Sequence, residues 1–118
     1  MNIYNANLFT PTVTTLSKTI TGSYTLLLSD FNKTIIKSGS DATVITIPTN
    51  DSSAFTIGST LTVINLGTGS VRFTTASTAV NLYTNNPDTL VMNGQYSIAG
   101  VTKIDTNHWV LSGRLQYV

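Results

Sequence analysis

Alternation of apolar and polar side chains with a period of two is the sequence feature that most restricts the fold of this chain. In the run 43–47, Thr43, Ile45 and Ile47 point to one side of an extended backbone, which is the pattern of a half-buried strand. Pro48 closes this run, because proline cannot donate a hydrogen bond to a neighbouring strand. Similar runs recur between groups of Gly, Ser, Asn and Asp, at about the 8–12-residue spacing that is typical of a sandwich or barrel.

These runs predict an all-β protein, since no window shows a sustained helical period. We expect a single β-sandwich or jelly-roll-like domain over residues 14–118, preceded by an extended N-terminal arm over residues 1–13. Asn93-Gly94 predicts a tight turn, and residues 105–107 predict a hairpin loop of about three residues. Besides 43–47, the predicted strands are 18–21, 24–28, 33–37, 60–66, 70–74, 79–83, 89–92, 96–104 and 108–115.

The inward-facing side chains of these strands define a predicted core. Thr, Val and Ile recur in the strands, and their stiff, branched side chains suit a pleated surface. The residues that we expect to be largely buried are Leu26, Leu28, Ile35, Ile45, Ile47, Leu61, Val63, Phe73, Ile98 and Trp109.

Charge and cysteine content exclude several classes of protein. The 118 residues include six Lys or Arg, five Asp and no Glu, with a net charge of +1. This charge is too small to attract nucleic acid or an anionic membrane, so we expect neither partner. No run approaches the ~20 apolar residues of a transmembrane helix. Cysteine is absent, so no disulfide stabilises the fold, and oligomerisation is a common alternative in small domains.

The residues that usually carry chemistry are few. His108 is the only histidine, so one chain cannot assemble a histidine metal cluster or a Ser-His pair, and we expect His108 to be a half-exposed sheet residue. The five Asp each lie beside Ser, Thr, Asn, Gly or Pro, where aspartate usually bonds the backbone of a turn. No Asp-x-Asp-x-Asp-Gly run supports a calcium site. We therefore predict no enzymatic activity, no catalytic residue, no cofactor and no metal.

The aromatic residues leave two interpretations open. Tyr83, Tyr96 and Trp109, with Tyr117, are candidates for an exposed platform that binds a host surface glycan. The more common role of a single tryptophan in a small β domain is to fill the core. The platform interpretation requires Trp109 and two tyrosines to be exposed together.

The N-terminal arm is too apolar for an ordinary solvated tail. Ile3, Tyr4, Leu8 and Phe9 lie among asparagines. One interpretation is a first edge strand or a frayed terminus. The other is an arm that attaches to another protein, because exposed apolar side chains form an association surface.

The order of segments from about residue 20 to residue 115 resembles a β domain that is common in tailed-bacteriophage virion proteins. Each motif is short, and the resemblance lies in their order and spacing along most of the chain. The matching motifs are Tyr24-Thr25-Leu26, Asp30-x-x-Lys33-x-Ile35, Val44-Ile45-Thr46-Ile47-Pro48, Ile57-Gly58-Ser59-x-Leu61-x-Val63, Gly67-x-Gly69, Gly94-Gln95-Tyr96, and a final Lys103, Trp109, Leu111 and Gly113.

This resemblance implies a non-enzymatic structural protein of the virion, assembled in the host cytoplasm. Such domains usually form homotrimers within longer chains, whereas here the domain spans most of the sequence. That difference favours a capsid decoration or cement protein, or a short head-fibre subunit, whose arm contacts the major capsid protein or another virion protein. A tail-fibre or carbohydrate-binding adhesion module remains the alternative, and the sequence leaves head and tail attachment open.

Overall fold

The computed structural model describes residues 16–85 and 89–116, and in these ranges the protein is almost entirely β. The described residues include no α-helix and one short 3-10 helix, Leu28–Asp30. The all-β prediction is therefore confirmed. The strands are β1 (Ser17–Ile20), β2 (Tyr24–Thr25), β3 (Thr34–Lys37), β4 (Thr43–Ile47), β5 (Thr60–Asn65), β6 (Val71–Thr75), β7 (Asn81–Thr84), β8 (Ile98–Asp105) and β9 (His108–Gly113).

The first six strands alternate between two sheets. One sheet has the order β1-β3-β5-β8-β9-β7, and the other has the order β2-β4-β6. The β1-β3-β5 ladder and the β2-β4-β6 ladder are both parallel. The chain therefore forms three stacked coils, each with one strand in each sheet: β1 with β2, β3 with β4, and β5 with β6.

The coils differ in length. Ser17 pairs with Thr34, and Thr34 pairs with Thr62, so the second step along the chain is much longer than the first. Unequal steps leave no fixed sequence period, which explains why the sequence shows no internal repeat. Local alternation of apolar and polar residues also cannot reveal parallel pairing between distant strands. Side chains alternate between the two faces of a strand in parallel and in antiparallel sheets alike.

The last three strands extend the larger sheet beyond the third coil. β8 is antiparallel to both β5 and β9, and β7 is parallel to β9. In the smaller sheet, residues 90–92 run beside β6: the Phe73 N–H donates to the Leu90 carbonyl, and the Met92 N–H donates to the Val71 carbonyl, each at 2.9 Å. Both sheets are thus covered at this end of the coil stack.

Inward-facing residues of both sheets form one hydrophobic core cluster. The predicted alternation of β4 is confirmed, with Thr43, Ile45 and Ile47 buried. Most of the predicted core is confirmed as well. The predicted core residues that are buried are Leu26, Ile35, Ile45, Ile47, Leu61, Val63, Phe73 and Trp109.

Two core predictions are wrong. Leu28 is 51% exposed, because the chain leaves β2 after Thr25 and enters the 3-10 helix, where strand alternation ends. Ile98 is also 51% exposed. In β8 the buried positions are Ala99, Val101 and Lys103, so the strand faces are shifted by one residue from the prediction, which reverses every side chain.

The corners of the coils pack backbone against backbone. A Cβ atom on Gly67 would lie 2.0 Å from the Gly39 carbonyl oxygen, and one on Gly69 would lie 2.2 Å from the Asp41 carbonyl oxygen. The buried Asn65 side chain joins this corner to the next turn: its Nδ2 donates to the Gly69 carbonyl at 3.1 Å and to the Gly94 carbonyl at 3.2 Å. The corner formed by Gly67 and Gly69 is therefore a site of close packing between coils.

The predicted turns near the C-terminus are present with altered bounds. Thr106 and Asn107 alone connect β8 and β9, and Asn107 adopts a left-handed conformation with φ 58°. Gly94, with φ 81°, lies in the turn predicted from Asn93-Gly94. The predicted strand 89–92 contains only isolated bridges.

Candidate functional site

The first coil is the outermost part of the stack, and the part of the chain that the structure describes leaves its outer strand edges uncovered. β1 and β2 are the terminal strands of their sheets, and among the described residues no strand pairs with their outer edges. Apolar side chains in and around this coil are also exposed. These are Leu16 before β1, and Leu27, Leu28 and Phe31 after β2.

A buried carboxylate anchors the chain where it leaves this coil. Asp30 is 0% exposed, and its Oδ2 accepts the Leu27 N–H at 2.8 Å and the Tyr24 hydroxyl at 2.5 Å. The Lys18 ammonium donates to the Tyr24 hydroxyl at 2.7 Å. Asp30 therefore links β1, β2 and the 3-10 helix, and it holds the backbone that carries Leu27 and Leu28.

Lys18 completes this network from the edge strand. Its Nζ lies 3.8 Å from Asp30 Oδ1 and 4.5 Å from the centroid of the Tyr24 ring. Asp30 Oδ1 accepts no hydrogen bond from residues 16–85 or 89–116, so among these residues the nearby ammonium is the group that compensates its charge. The hydrogen bond to Tyr24 is the main cause that raises the pKa of Lys18. Burial, followed by the hydrogen bond to Asp30, raises the pKa of Tyr24.

These two shifts predict a loss of stability in alkaline solution. Both groups stabilise the fold in their protonated forms, so this contribution is complete below the ordinary pKa values of 10.0 for tyrosine and 10.5 for lysine. It is lost as the pH rises through the raised values. We expect the free energy of unfolding, measured by urea titration at neutral pH and above pH 10.5, to fall less in Tyr24→Phe than in the wild type.

Tyr83→Phe is the matched control, because Tyr83 is half-exposed and distant in the chain from this network. It should keep the full alkaline loss. Burial lowers the pKa of Lys103, so this lysine contributes the opposite slope, with stability rising up to pH 10.5. That slope is common to all three proteins. Equal alkaline losses in Tyr24→Phe and the wild type would contradict a role for the network.

Two lysines lie inside the protein, which the sequence did not predict. Lys103 is buried, and its Nζ donates to Asn50 Oδ1 at 2.5 Å and to the Phe55 carbonyl at 2.8 Å. Lys37 is buried and donates to the Gly39 carbonyl at 2.9 Å. Both ammonium groups bond oxygens of loops, so they fasten the loops between strands to the sheets.

The predicted aromatic platform required Trp109 and two tyrosines to be exposed together, and this condition is not met. Trp109 is 2% exposed and packs edge-to-face against Phe55, with ring centroids 5.4 Å apart. Tyr83 is half-exposed beside His108, and Tyr96 is 72% exposed. The structure thus separates Trp109, which fills the core, from the two tyrosines, which lie at the surface.

The other predicted site residues fall into three groups. The arm residues Ile3, Tyr4, Leu8 and Phe9, like Asp88 and Tyr117, lie outside the described residues. His108 is partly buried at the start of β9, as predicted. Asp30 and Asp105 bond nearby backbone, as predicted for turn-forming aspartates.

The described residues contain few other features of a chemical site. Within residues 16–85 and 89–116, no group of three or more His, Cys, Asp or Glu side chains is placed to hold a metal ion. In the same part of the chain, no helix is long and apolar enough to cross a membrane.

Comparison with known proteins adds no relative. No family model, no curated protein and no solved structure matches the chain. The uncovered end of the coil stack is therefore the feature on which a functional proposal rests.

Proposed function

We propose that this protein is a non-enzymatic structural subunit of a phage virion, either a capsid decoration or cement protein or a short head-fibre subunit. The uncovered edges of β1 and β2 carry the proposal. Unpaired strand edges are templates for pairing with another chain, and stacked-coil proteins need their ends covered to stay soluble. A subunit that assembles on a particle has a use for such an end.

The proposed assembly is a homotrimer of β-sandwich domains. The shared core between the two sheets supports the sandwich assignment. The exposed side chains of Leu16, Leu27, Leu28 and Phe31 support burial in an assembly, because the described residues of the single chain leave their apolar surface uncovered. The number three comes from the resemblance to phage virion domains.

The proposed attachment element is residues 1–13, which lie next to the first coil in sequence. Burying Ile3, Tyr4, Leu8 and Phe9 would favour docking by several kcal/mol, at ~25 cal/mol per Å² of apolar surface. Ordering an arm opposes docking by about 1–2 kcal/mol per residue, so one arm binds weakly. Three arms on one trimer bind durably, because each raises the effective concentration of the others.

An arm deletion tests this proposal. We expect the full chain to bind phage particles that lack the native subunit, and immunogold labelling or cryo-EM to place it on the capsid. A variant that begins at Thr14 should lose this binding while sedimentation equilibrium still gives a trimer rather than the 12.6 kDa monomer.

The outcomes separate the parts of the proposal. Unchanged decoration by the deletion variant would transfer attachment to the β domain and overturn the role of the arm. A full chain that sediments as a monomer at micromolar concentration would overturn the trimer. Labelling confined to the tail would contradict a capsid subunit.

A further inference from the structure

An open cavity of about 300 Å³ lies where the turn before β8 meets the end of β9. This volume is at the lower end of the range for small-molecule sites, so it suits a ligand of one or two rings. It lies beside the C-terminal end of β5, where Ile64 pairs with Ile98, and none of its lining residues belongs to the first coil. The lining residues are Asn93, Gln95, Tyr96, Ser97, Ile98 and Arg114.

Tyr96 has an unusual conformation at this cavity. Its φ is 68°, and the other non-glycine residues with positive φ in the described chain are the asparagines Asn32 and Asn107. Asparagine tolerates this conformation, whereas a bulky side chain there is strained. The same tyrosine is 72% exposed, so burial of its ring contributes little to offset the strain. A strained, exposed aromatic residue at a cavity is typical of a functional position.

Hydrogen bonds to the end of β5 and to the residue after it hold the loop that carries Tyr96 in place. The Tyr96 N–H donates to the Asn65 carbonyl at 2.6 Å, and the Gln95 Nε2 donates to the Leu66 carbonyl at 3.0 Å. The Ser97 hydroxyl donates to the Gly94 carbonyl at 2.6 Å. The aromatic ring is therefore presented by a pre-organised turn, which reduces the entropy that binding must cost.

Arg114 supplies the charge at this cavity. It is exposed, and its guanidinium forms no hydrogen bond or ion pair with any residue in 16–85 or 89–116. The Asn93 side chain is likewise without a hydrogen-bond partner in these ranges. The chain contains only two arginines and no glutamate, so an unpaired guanidinium beside an exposed tyrosine is a distinctive combination in this protein.

We propose that this cavity binds an acidic saccharide, with Tyr96 stacking on the sugar ring and Arg114 binding its carboxylate. A guanidinium group and a carboxylate are both planar and can form two parallel N–H···O hydrogen bonds with each other. The tyrosine ring offers an apolar face to the C–H groups of a sugar, and the Asn93 amide supplies donors and an acceptor for hydroxyl groups. This site does not depend on the proposed virion role and uses Tyr96 without Trp109.

NMR titration of the full-length protein tests the site with matched sugars. The probes are the methyl glycosides of glucuronic acid, galacturonic acid and N-acetylneuraminic acid, with those of glucose and galactose as neutral counterparts. We expect at least one acidic glycoside to shift the Tyr96 and Arg114 signals, and its neutral counterpart to bind more weakly. Arg114→Gln should lower the affinity for the acidic glycoside about tenfold or more, because the charge-assisted pair between guanidinium and carboxylate is lost.

Two further variants separate binding from folding. Arg72→Gln is the matched control, because Arg72 is the other exposed arginine, and it should bind as the wild type does. Tyr96→Gly should lose binding while its melting temperature stays the same or rises, because glycine adopts positive φ without strain. Absence of binding by all three acidic glycosides, or unchanged affinity in Arg114→Gln, would overturn the proposal.

Discussion

Replacing Gly67 or Gly69 by alanine should destabilise the protein by about 3 kcal/mol or more, which is a large part of the stability of a small domain. The added Cβ would lie 2.0 Å from the Gly39 carbonyl oxygen in the first variant and 2.2 Å from the Asp41 carbonyl oxygen in the second. Both obstacles are backbone atoms, so no side chain can rotate away. Relief requires the coils to separate, which would break the ladder between β4 and β6.

Urea unfolding followed by circular dichroism measures this effect, and Gly22 provides the control. A Cβ on Gly22 meets no heavy atom within 4 Å, and its φ is not positive. Gly22→Ala should therefore change the free energy of unfolding by less than about 1 kcal/mol. If Gly67→Ala unfolded at the same urea concentration as Gly22→Ala, the close packing of the two corners would be wrong.

The second large effect is expected for Trp109→Ala. This side chain is among the largest that are fully buried, and truncating a buried tryptophan costs about 3–5 kcal/mol through lost burial and the cavity that remains. Phe55 would also lose its edge-to-face partner. The free energy of unfolding from urea titration, followed by circular dichroism, is the measurement.

Tyr83→Ala is the control for this variant. Tyr83 lies on the neighbouring strand β7 and is half-exposed, so its truncation should cost about 1 kcal/mol or less. If both variants lost the same small amount, Trp109 would not be part of the core, and an exposed aromatic platform would need to be considered again.

The strands and most of the core could be predicted because their signal is local. Alternation in a run such as 43–47 identifies a strand and its buried face without any knowledge of its neighbours. Leu28 and Ile98 show where this reasoning ends. Next to Leu28, the Leu27 N–H donates a hydrogen bond to Asp30 Oδ2, which holds the chain in a turn. At Ile98 the register is set by pairing with the distant strand β5.

The candidate sites were less accessible to sequence reasoning. The network of Lys18, Tyr24 and Asp30 depends on side chains that meet only when β1 and β2 enter different sheets. One signal was present: Asp30 is the lone charge in the stretch 26–31, which otherwise holds three Leu, one Phe and one Ser, and a charge in such a place is buried only with partners. Arg114 and Tyr96 come together at the open end of the β8–β9 hairpin, which the sequence predicted, but the positive φ that Tyr96 adopts there has no signal in the sequence.

The parallel coils also determine the order in which the protein can fold. Among the described strands, β8 and β9 are the only pair closed by a two-residue connection, whereas the parallel ladders β1-β3-β5 and β2-β4-β6 must each first close long loops through the opposite sheet. Loop closure costs entropy before any ladder bond is formed, so we expect folding to start at this hairpin and to proceed through β5 and β3 to β1. The unpaired outer edges of β1 and β2, which could pair with another chain, would then form last. By that stage the other strands would already be paired and so protected from aggregation.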